Sequence, residues 1–410
     1  MNQHVRFYPD IDYRNHPAFR ELGVPTRNDE SVVDSMIETI DRGLEALHKV
    51  YYADAAALQS AFDAGPGRRI VELGAYLDQT TPNERVRALL ARSIPDVIVE
   101  LKDEARIKND RHHFNRKLSI EGRRVSNDLE RDGAHICRIT DAERAKLWNL
   151  CLPAIKRLRA AAALDPKGRV AESFARYSAL GVHLDSFFRR SAVLEGLAHY
   201  FGSNVIFAGF ALEYNHSKQT WWEGLYADVG LPSPKTAYLH YDHGCRNPKA
   251  IVALSEVSED NGPTSYIMGS PRKVRSNFVH FMVKSIEYAF RDDDLGSENP
   301  AYRRMFQEVR YRREFLMLPR ALQGSSHFGE DVIDGTPLSA DLLQNEVKIT
   351  RDVGNCVVFD GDYGIHRGAL VRSGERFVFQ VIFAIEPDLP KGNALYNRAR
   401  AIARRLVKGD

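Results

Sequence analysis

The sequence predicts an α+β chain: a mainly β core, entered through a helical N-terminal region and interrupted by a helical insertion. Three observations predict it. Residues 1–120 carry apolar side chains at helical spacing. Beyond residue 134 the apolar runs become short and rich in β-branched and aromatic residues, with Gly, Asn, Asp and Pro between them. Between Pro271 and Val347 helical spacing returns.

In "ESVVDSMIETIDRGLEALHKVYY", Val33, Ile37, Ile40, Leu44 and Leu47 share one helical face. "TPNERVRALLARSIPDVIVELKDEARI" has a similar period, interrupted by Pro95. "KNDRHHFNRKLSIEGRR" reads as a connection, and its adjacent His112 and His113 read as surface residues. At "GAHICRITDAERAKLWNLCLPAIKRL" a short strand, Ala134 to Ile139, leads into a helix on which Thr140 and Glu143 have capping-box spacing. "NVIFAGFALEY", "AIVALSEV", "NCVVFD" and "RFVFQVIFAI" read as core strands. In the insertion, 272–346, "VRSNFVHFMVKSIEYAF" and "NPAYRRMFQEVRYRREFLML" read as helices, expected to cover the mouth of the β core. Residues 391–410 read as a basic amphipathic helix docked with its arginines outward.

The 410 residues can bury a substantial core, and 43% apolar with 27% charged is the balance of an ordinary globular protein. A formal charge of +2 makes no global case for nucleic acid or acidic surfaces. Cys137, Cys151, Cys245 and Cys356 form no CxxC pair and suit reduced thiols in a cytosol. Neither a signal peptide nor a membrane span is expected.

The chemistry concentrates in "YLHYDHGCRNP". On a strand, residues i and i+2 share a face, so His240 and Asp242 point together while Tyr241 and His243 point away. One imidazole and one carboxylate are two thirds of a 2-His-1-carboxylate set, which binds Fe(II) and leaves positions open for oxygen chemistry. Alone, an HxD is a common accident of a strand end and a turn. "EDNGPTSYIMGSPRK" follows it, and later "GNCVVFDGDYGIHRGALVRSGERFVFQ" supplies His366 and, ten residues on, Arg376. A planar guanidinium suits the far carboxylate of 2-oxoglutarate.

In these stretches the chain resembles the phytanoyl-CoA dioxygenase-like Fe(II)/2-oxoglutarate oxygenases, from about Asp132 to Glu386. "RDGAHICRITDAERAKL" is similar to that family's entry strand and helix, "LHYDHG" to its HxD segment, and "VVFDGDYGIHRG" to its distal histidine segment. "NGPTSYIMGSPR" matches its N-G and G-S positions at Asn261, Gly262, Gly269 and Ser270, and departs from it at Met268 and Pro271. Gly368 stands where a small hydroxyl residue often follows the distal histidine. The resemblance implies a double-stranded β-helix (a cupin-like jelly roll) over residues 125–390. It implies Fe(II) held by His240, Asp242 and His366, 2-oxoglutarate held by Arg376, and O2 as co-reactant.

Rivals to these residues have simpler readings. His243 has the wrong strand parity. Arg372 lies in the turn "LVRSGE", and Asp360 and Asp362 in the turn "FDGDYG". Trp221 and Trp222, with Tyr238, are candidates for a substrate pocket; core packing suits the tryptophans equally. Arg303, Arg304, Arg310, Arg312 and Arg313 read as a solvated helix face rather than an anion pocket. The expected function is hydroxylation of a small-molecule C–H bond with release of succinate and CO2. Desaturation, cyclisation or epimerisation on the same cofactors, a non-catalytic barrel, and a cosubstrate-free metal isomerase or hydrolase are the alternatives. Asp242 disfavours a halogenase, because halide needs its position. The expected partner is a small molecule, with neither nucleic acid nor membrane; oligomeric state is open.

Overall fold

Helical spacing near the N-terminus resolves into packed helices. The computed structural model describes residues 10–24, 26–114, 117–164, 169–216, 230–242, 248–274, 276–294, 306, 308–368 and 371–385. Helix α1 (Glu30–Lys49) buries Val33, Ile37, Ile40, Leu44 and Leu47, the positions its spacing singled out. Helix α2 (Ala55–Phe62) starts at Asp54, whose carboxylate accepts from the Ala57 amide and satisfies a donor left over at a helix start. After α3 (Arg68–Thr80), α4 (Glu84–His113) runs farther than its sequence suggests and contains Pro95. The polar run from Lys108, read as connection, stays helical to His113. The turns of α4 just before it bury Leu101, Ala105 and Ile107. Lys108 pairs with Glu104 one turn back at 2.8 Å, and Asn109 bonds both the amide and the carbonyl of Tyr52.

Helix α5 (Ile120–Asp132) ends at Gly133, whose φ of +80° is the left-handed value a glycine takes without steric cost. Strand β1 (Ala134–Cys137) leads to α6 (Asp141–Ala162), where Thr140 and Glu143 form the expected reciprocal capping box. Strand β2 (Arg169–Phe174), helices α7 (Ala179–Arg190) and α8 (Val193–Phe201), and strand β3 (Val205–His216) follow. Strands β4 (Pro248–Ala253) and β5 (Ser265–Ile267) precede helices α9 (Asn277–Asp294), α10 (Val309–Leu316) and α11 (Pro337–Gln344). Strands β6 (Glu346–Lys348), β7 (Cys356–Asp360), β8 (His366–Arg367) and β9 (Glu375–Ile385) close the described chain. The basic helix expected at 391–410 lies outside the described residues.

The chain folds as two compact units. One comprises Met1–His113, Gly224–Cys245 and Arg272–Leu343. In it α4 lies along α9. Edge-on ring contacts link Tyr13, Phe19, Phe306 and Phe315, and the buried Tyr13 hydroxyl donates to Asp331 at 2.7 Å. Arg312, read as part of a solvated face, is instead buried and donates to the Ala18 carbonyl.

The other unit comprises Phe114–Glu223, Arg246–Pro271 and Gln344–Asp410, and it carries the sheets. Six strands run β1-β7-β4-β9-β3-β2 and three run β6-β5-β8, each neighbouring pair antiparallel. From β4 onward the chain passes to the small sheet (β5, β6), back to the large (β7), to the small (β8) and back (β9). That alternation is double-stranded β-helix winding. Ala134, Val357 and Phe359 of the large sheet share one core with Tyr266 of the small sheet and Ile349 just beyond it. Strand β9 shows the two faces. Phe377 and Phe383 meet Trp148 of α6 and Phe188 of α7 edge-on. Arg376 and Val378, of opposite parity to Phe377, line a small pocket with Ile251, Thr264 and Ile349.

Among the described residues no helix is long and apolar enough to cross a membrane. Cys137, Cys151 and Cys356 are free thiols; Cys245 lies outside the described residues. Burial pushes the Cys151 thiol up to about 12, so it stays protonated near neutral pH.

Candidate metal centre

His240 and Asp242 sit on a segment that is less regular than the strand its sequence suggests. Lys235 to Tyr238 form a turn, and Tyr238 takes φ +65°. A bulky residue in the left-handed region costs roughly 1–2 kcal/mol. Four hydrogen bonds to a single stretch of chain hold the segment there. The Tyr238 amide donates to Glu330 Oε1 at 3.2 Å, and the Gly329 amide donates to the Leu239 carbonyl at 3.0 Å. The Thr236 hydroxyl donates to the Gly329 carbonyl at 2.8 Å, and the Tyr241 amide to the Ser326 carbonyl at 2.8 Å. Tyr241 points away from its neighbours, fully buried and edge-on to His280 at 4.9 Å, as strand alternation requires. The Tyr238 ring lies 4.6 Å from the His240 ring.

The His240 Nδ1 lies 2.9 Å from the carbonyl of Tyr238, two residues back. A carbonyl only accepts, so Nδ1 carries the proton and Nε2 carries the lone pair. His366 repeats the device in the β-helix unit: its Nδ1 lies 2.9 Å from the carbonyl of Gly364, again two residues back. Backbone partners of this kind fix the tautomer and plane of metal-binding histidines.

The loop that presents His366 is tightly built. The Gly364 amide donates to the Asp360 carbonyl, and the Ile365 amide to the Oγ of the wholly buried Ser270 at 3.0 Å. Tyr266 lies parallel to His366 with ring centroids 6.5 Å apart, and Phe359 lies 4.7 Å away. The "NGPTSYIMGSP" stretch thus has a mechanical role. Ser270 steadies the histidine loop, and the Gly262 carbonyl accepts from Arg376. Arg376 is 5% exposed and carries the one charge among the described residues lining its pocket.

His240 and Asp242 of the first unit and His366 of the second each offer one ligand atom suited to a metal. Asp360 and Asp362 do not join them. Asp360 is buried as a structural acceptor, from the Tyr200 hydroxyl at 3.0 Å and the Asp362 amide at 3.1 Å. Both are buried, Asp360 at the end of β7 and Asp362 in the turn that follows. Arg372 is exposed, its amide bonded to the Asp260 carbonyl. His243, Trp221 and Trp222 lie outside the described residues. Sequence reasoning passed over Tyr266, Glu287, Ser326 and His327, and saw Ser270 only as a family match. The "SSHF" stretch holds a histidine after two hydroxyls, but nothing in its own neighbourhood names its partners.

No family model matches the chain, and no curated protein does. Among solved structures, the epimerase SnoN in complex with Fe3+, alpha ketoglutarate and nogalamycin RO aligns at 14% identity and TM-score 0.35. That alignment covers 67% of this chain and 91% of that one. EctD from S. alaskensis, apo form, aligns at 15% identity and TM-score 0.35 over 65% of this chain and 77% of that one. AviO1 from Streptomyces viridochromogenes aligns at 11% identity and TM-score 0.33 over 68% of this chain and all of that one. These are distant likenesses.

Proposed function

We propose that this chain is an Fe(II)- and 2-oxoglutarate-dependent oxygenase that hydroxylates a C–H bond of a small molecule. One observation carries the reading: two histidines from distant parts of the sequence are held in the same tautomer by the same backbone device, each leaving Nε2 for a ligand bond, with the Asp242 carboxylate two residues after the first. Two neutral imidazoles and one carboxylate suit Fe(II) and leave positions for a chelating cosubstrate and O2.

His240, Asp242 and His366 would hold the metal, and Asp242 would offset part of its charge. When bound, Fe(II) with 2-oxoglutarate and O2 supplies oxidative chemistry, in which decarboxylation to succinate and CO2 accompanies oxidation of the substrate. Arg376 would bind the far carboxylate of 2-oxoglutarate with a guanidinium already oriented by Gly262. The guanidinium is buried beside Ile251, Ile349 and Val378, where a two-pronged, charge-assisted bond to a carboxylate is stronger than in water. Those apolar neighbours exclude water from the carboxylate pair. Tyr238, with its ring against His240, is the described residue best placed to touch substrate.

The test is release of succinate from 2-oxoglutarate with Fe(II) and ascorbate, across a metabolite library. Substrate-stimulated succinate, lost in Asp242→Ala, is expected. Turnover of a compound without 2-oxoglutarate would favour the metal isomerase or hydrolase instead.

A further inference from the structure

The insertion that interrupts the β core contributes "SSHFGE", Ser325 to Glu330, whose backbone is laced to Thr236–Tyr241. Within it, the His327 ring lies flat on the His240 ring, with centroids 4.7 Å apart and planes 10° apart. The Nδ1 edge of His327 is anchored in a buried polar relay. Its Nδ1 lies 2.7 Å from Ser326 Oγ. That hydroxyl donates to Glu287 Oε2 at 2.7 Å, and the Ser326 amide donates to the same oxygen at 2.7 Å. Ser325 Oγ donates to the other carboxylate oxygen at 2.9 Å. Glu287 stands on α9 and is 2% exposed.

The direction of the relay is determined. A carboxylate accepts, so the Ser326 proton points to Glu287, and Ser326 Oγ must then accept from His327 Nδ1–H. His327 is thereby held in one tautomer and one plane. On the His240 side, the Tyr238 carbonyl tethers one edge of the ring, while a flat neighbour restrains rotation about the Cβ–Cγ bond. We propose that His327 is a positioning residue for His240: the Glu287–Ser326–His327 relay sets the plane of the His240 imidazole and so the direction in which Nε2 meets a metal. This rests on the metal reading above and assigns the "SSHFGE" segment a supporting role in addition to any role over substrate.

Loss of an outer partner of a metal-binding histidine lowers affinity by roughly 10- to 100-fold. The experiment is titration of the full chain with Co(II), read by visible absorption, with thermal unfolding measured alongside. His327→Ala is expected to weaken Co(II) binding by that factor and to alter the absorption envelope. His327→Phe, which restores a flat ring without the Ser326 bond, is expected to recover part of the affinity. Glu287→Gln, which sets an amide donor against the Ser325 and Ser326 donors, is expected to weaken binding although Glu287 does not touch His240. A residue serving stability alone would lower the unfolding temperature and leave Co(II) affinity and spectrum of the folded protein unchanged. Wild-type affinity and spectrum in both His327→Ala and Glu287→Gln overturn the proposal; if His327→Ala fails to fold, Glu287→Gln decides it. His240→Ala separates the two levels: if it retains Co(II) affinity, the metal reading falls and this proposal with it.

Discussion

A Cβ on Gly364 would lie 1.4 Å from the Tyr266 hydroxyl, which itself donates to the Gly133 carbonyl at 2.9 Å. Gly364→Ala must therefore push Tyr266 away from both Gly133 and the face of His366. Overpacking of this kind costs about 1–3 kcal/mol, and metal affinity is expected to fall with it. Gly368→Ala is the control, because a Cβ there meets open space; its unfolding temperature should match the parent. At the cosubstrate end, Arg376→Ala is expected to lose about 2–5 kcal/mol of 2-oxoglutarate binding, the cost of unpairing one buried charge. Arg376→Lys should mainly raise the Michaelis constant, and Arg372→Ala should change neither. A 2-oxoglutarate titration at saturating Fe(II) reads all three, and a loss confined to Arg372→Ala would reverse the assignment. The burial of Arg376 was legible because it lies at the start of β9, where successive side chains point to opposite faces and one position sets the face of every other. Tyr238 was not. A tyrosine at φ +65° contradicts local preference, and the bonds that impose it come from residues some ninety positions away in sequence.

Among the elements, those with long apolar periods could be read directly, because burial of one face fixes where their side chains go. Helix α1 buries the five positions its spacing predicts, and Thr140 with Glu143 caps α6. The small sheet escaped notice because β5 and β6 have three residues each and β8 two, too few for alternation to show. The 326–329 segment escaped for a different reason: its neighbour is the turn at 235–238, a contact that no local pattern encodes. Gly329 tests that contact. A Cβ there would meet the Leu239 amide nitrogen and the Thr236 carbonyl oxygen at 2.4 Å, both backbone atoms. Gly329→Ala should displace the His240 segment, lowering metal affinity and speeding amide exchange at Leu239 and Tyr241. Unchanged exchange at both amides would show that the segment stands without this support.

For the molecule as a whole, the half-buried His48 gives stability a pH dependence. His48 is pushed down to about 4, first by burial and then by the nearby charge of Lys108, whose Nζ donates to Nδ1 at 3.4 Å. The unfolded chain, with His48 near 6.5, then binds the proton more readily than the folded one. This contribution is complete above about pH 6.5 and is lost as pH falls toward 4. Linkage makes the loss about 2 kcal/mol between pH 7 and pH 5. Comparing unfolding of the parent and His48→Gln at both values isolates it, and equal pH dependence in the two would contradict it. The two histidines proposed to bind iron are 126 positions apart in sequence, as their numbers show. The central claim therefore concerns what the fold gathers rather than what either motif holds. Anaerobic equilibrium binding of Fe(II) to the full chain tests it most directly. One Fe(II) per chain is predicted, weakened severely in each of His240→Ala, Asp242→Ala and His366→Ala and unchanged in Asp362→Asn. Stoichiometric binding that survives His366→Ala together with Asp242→Ala would contradict it.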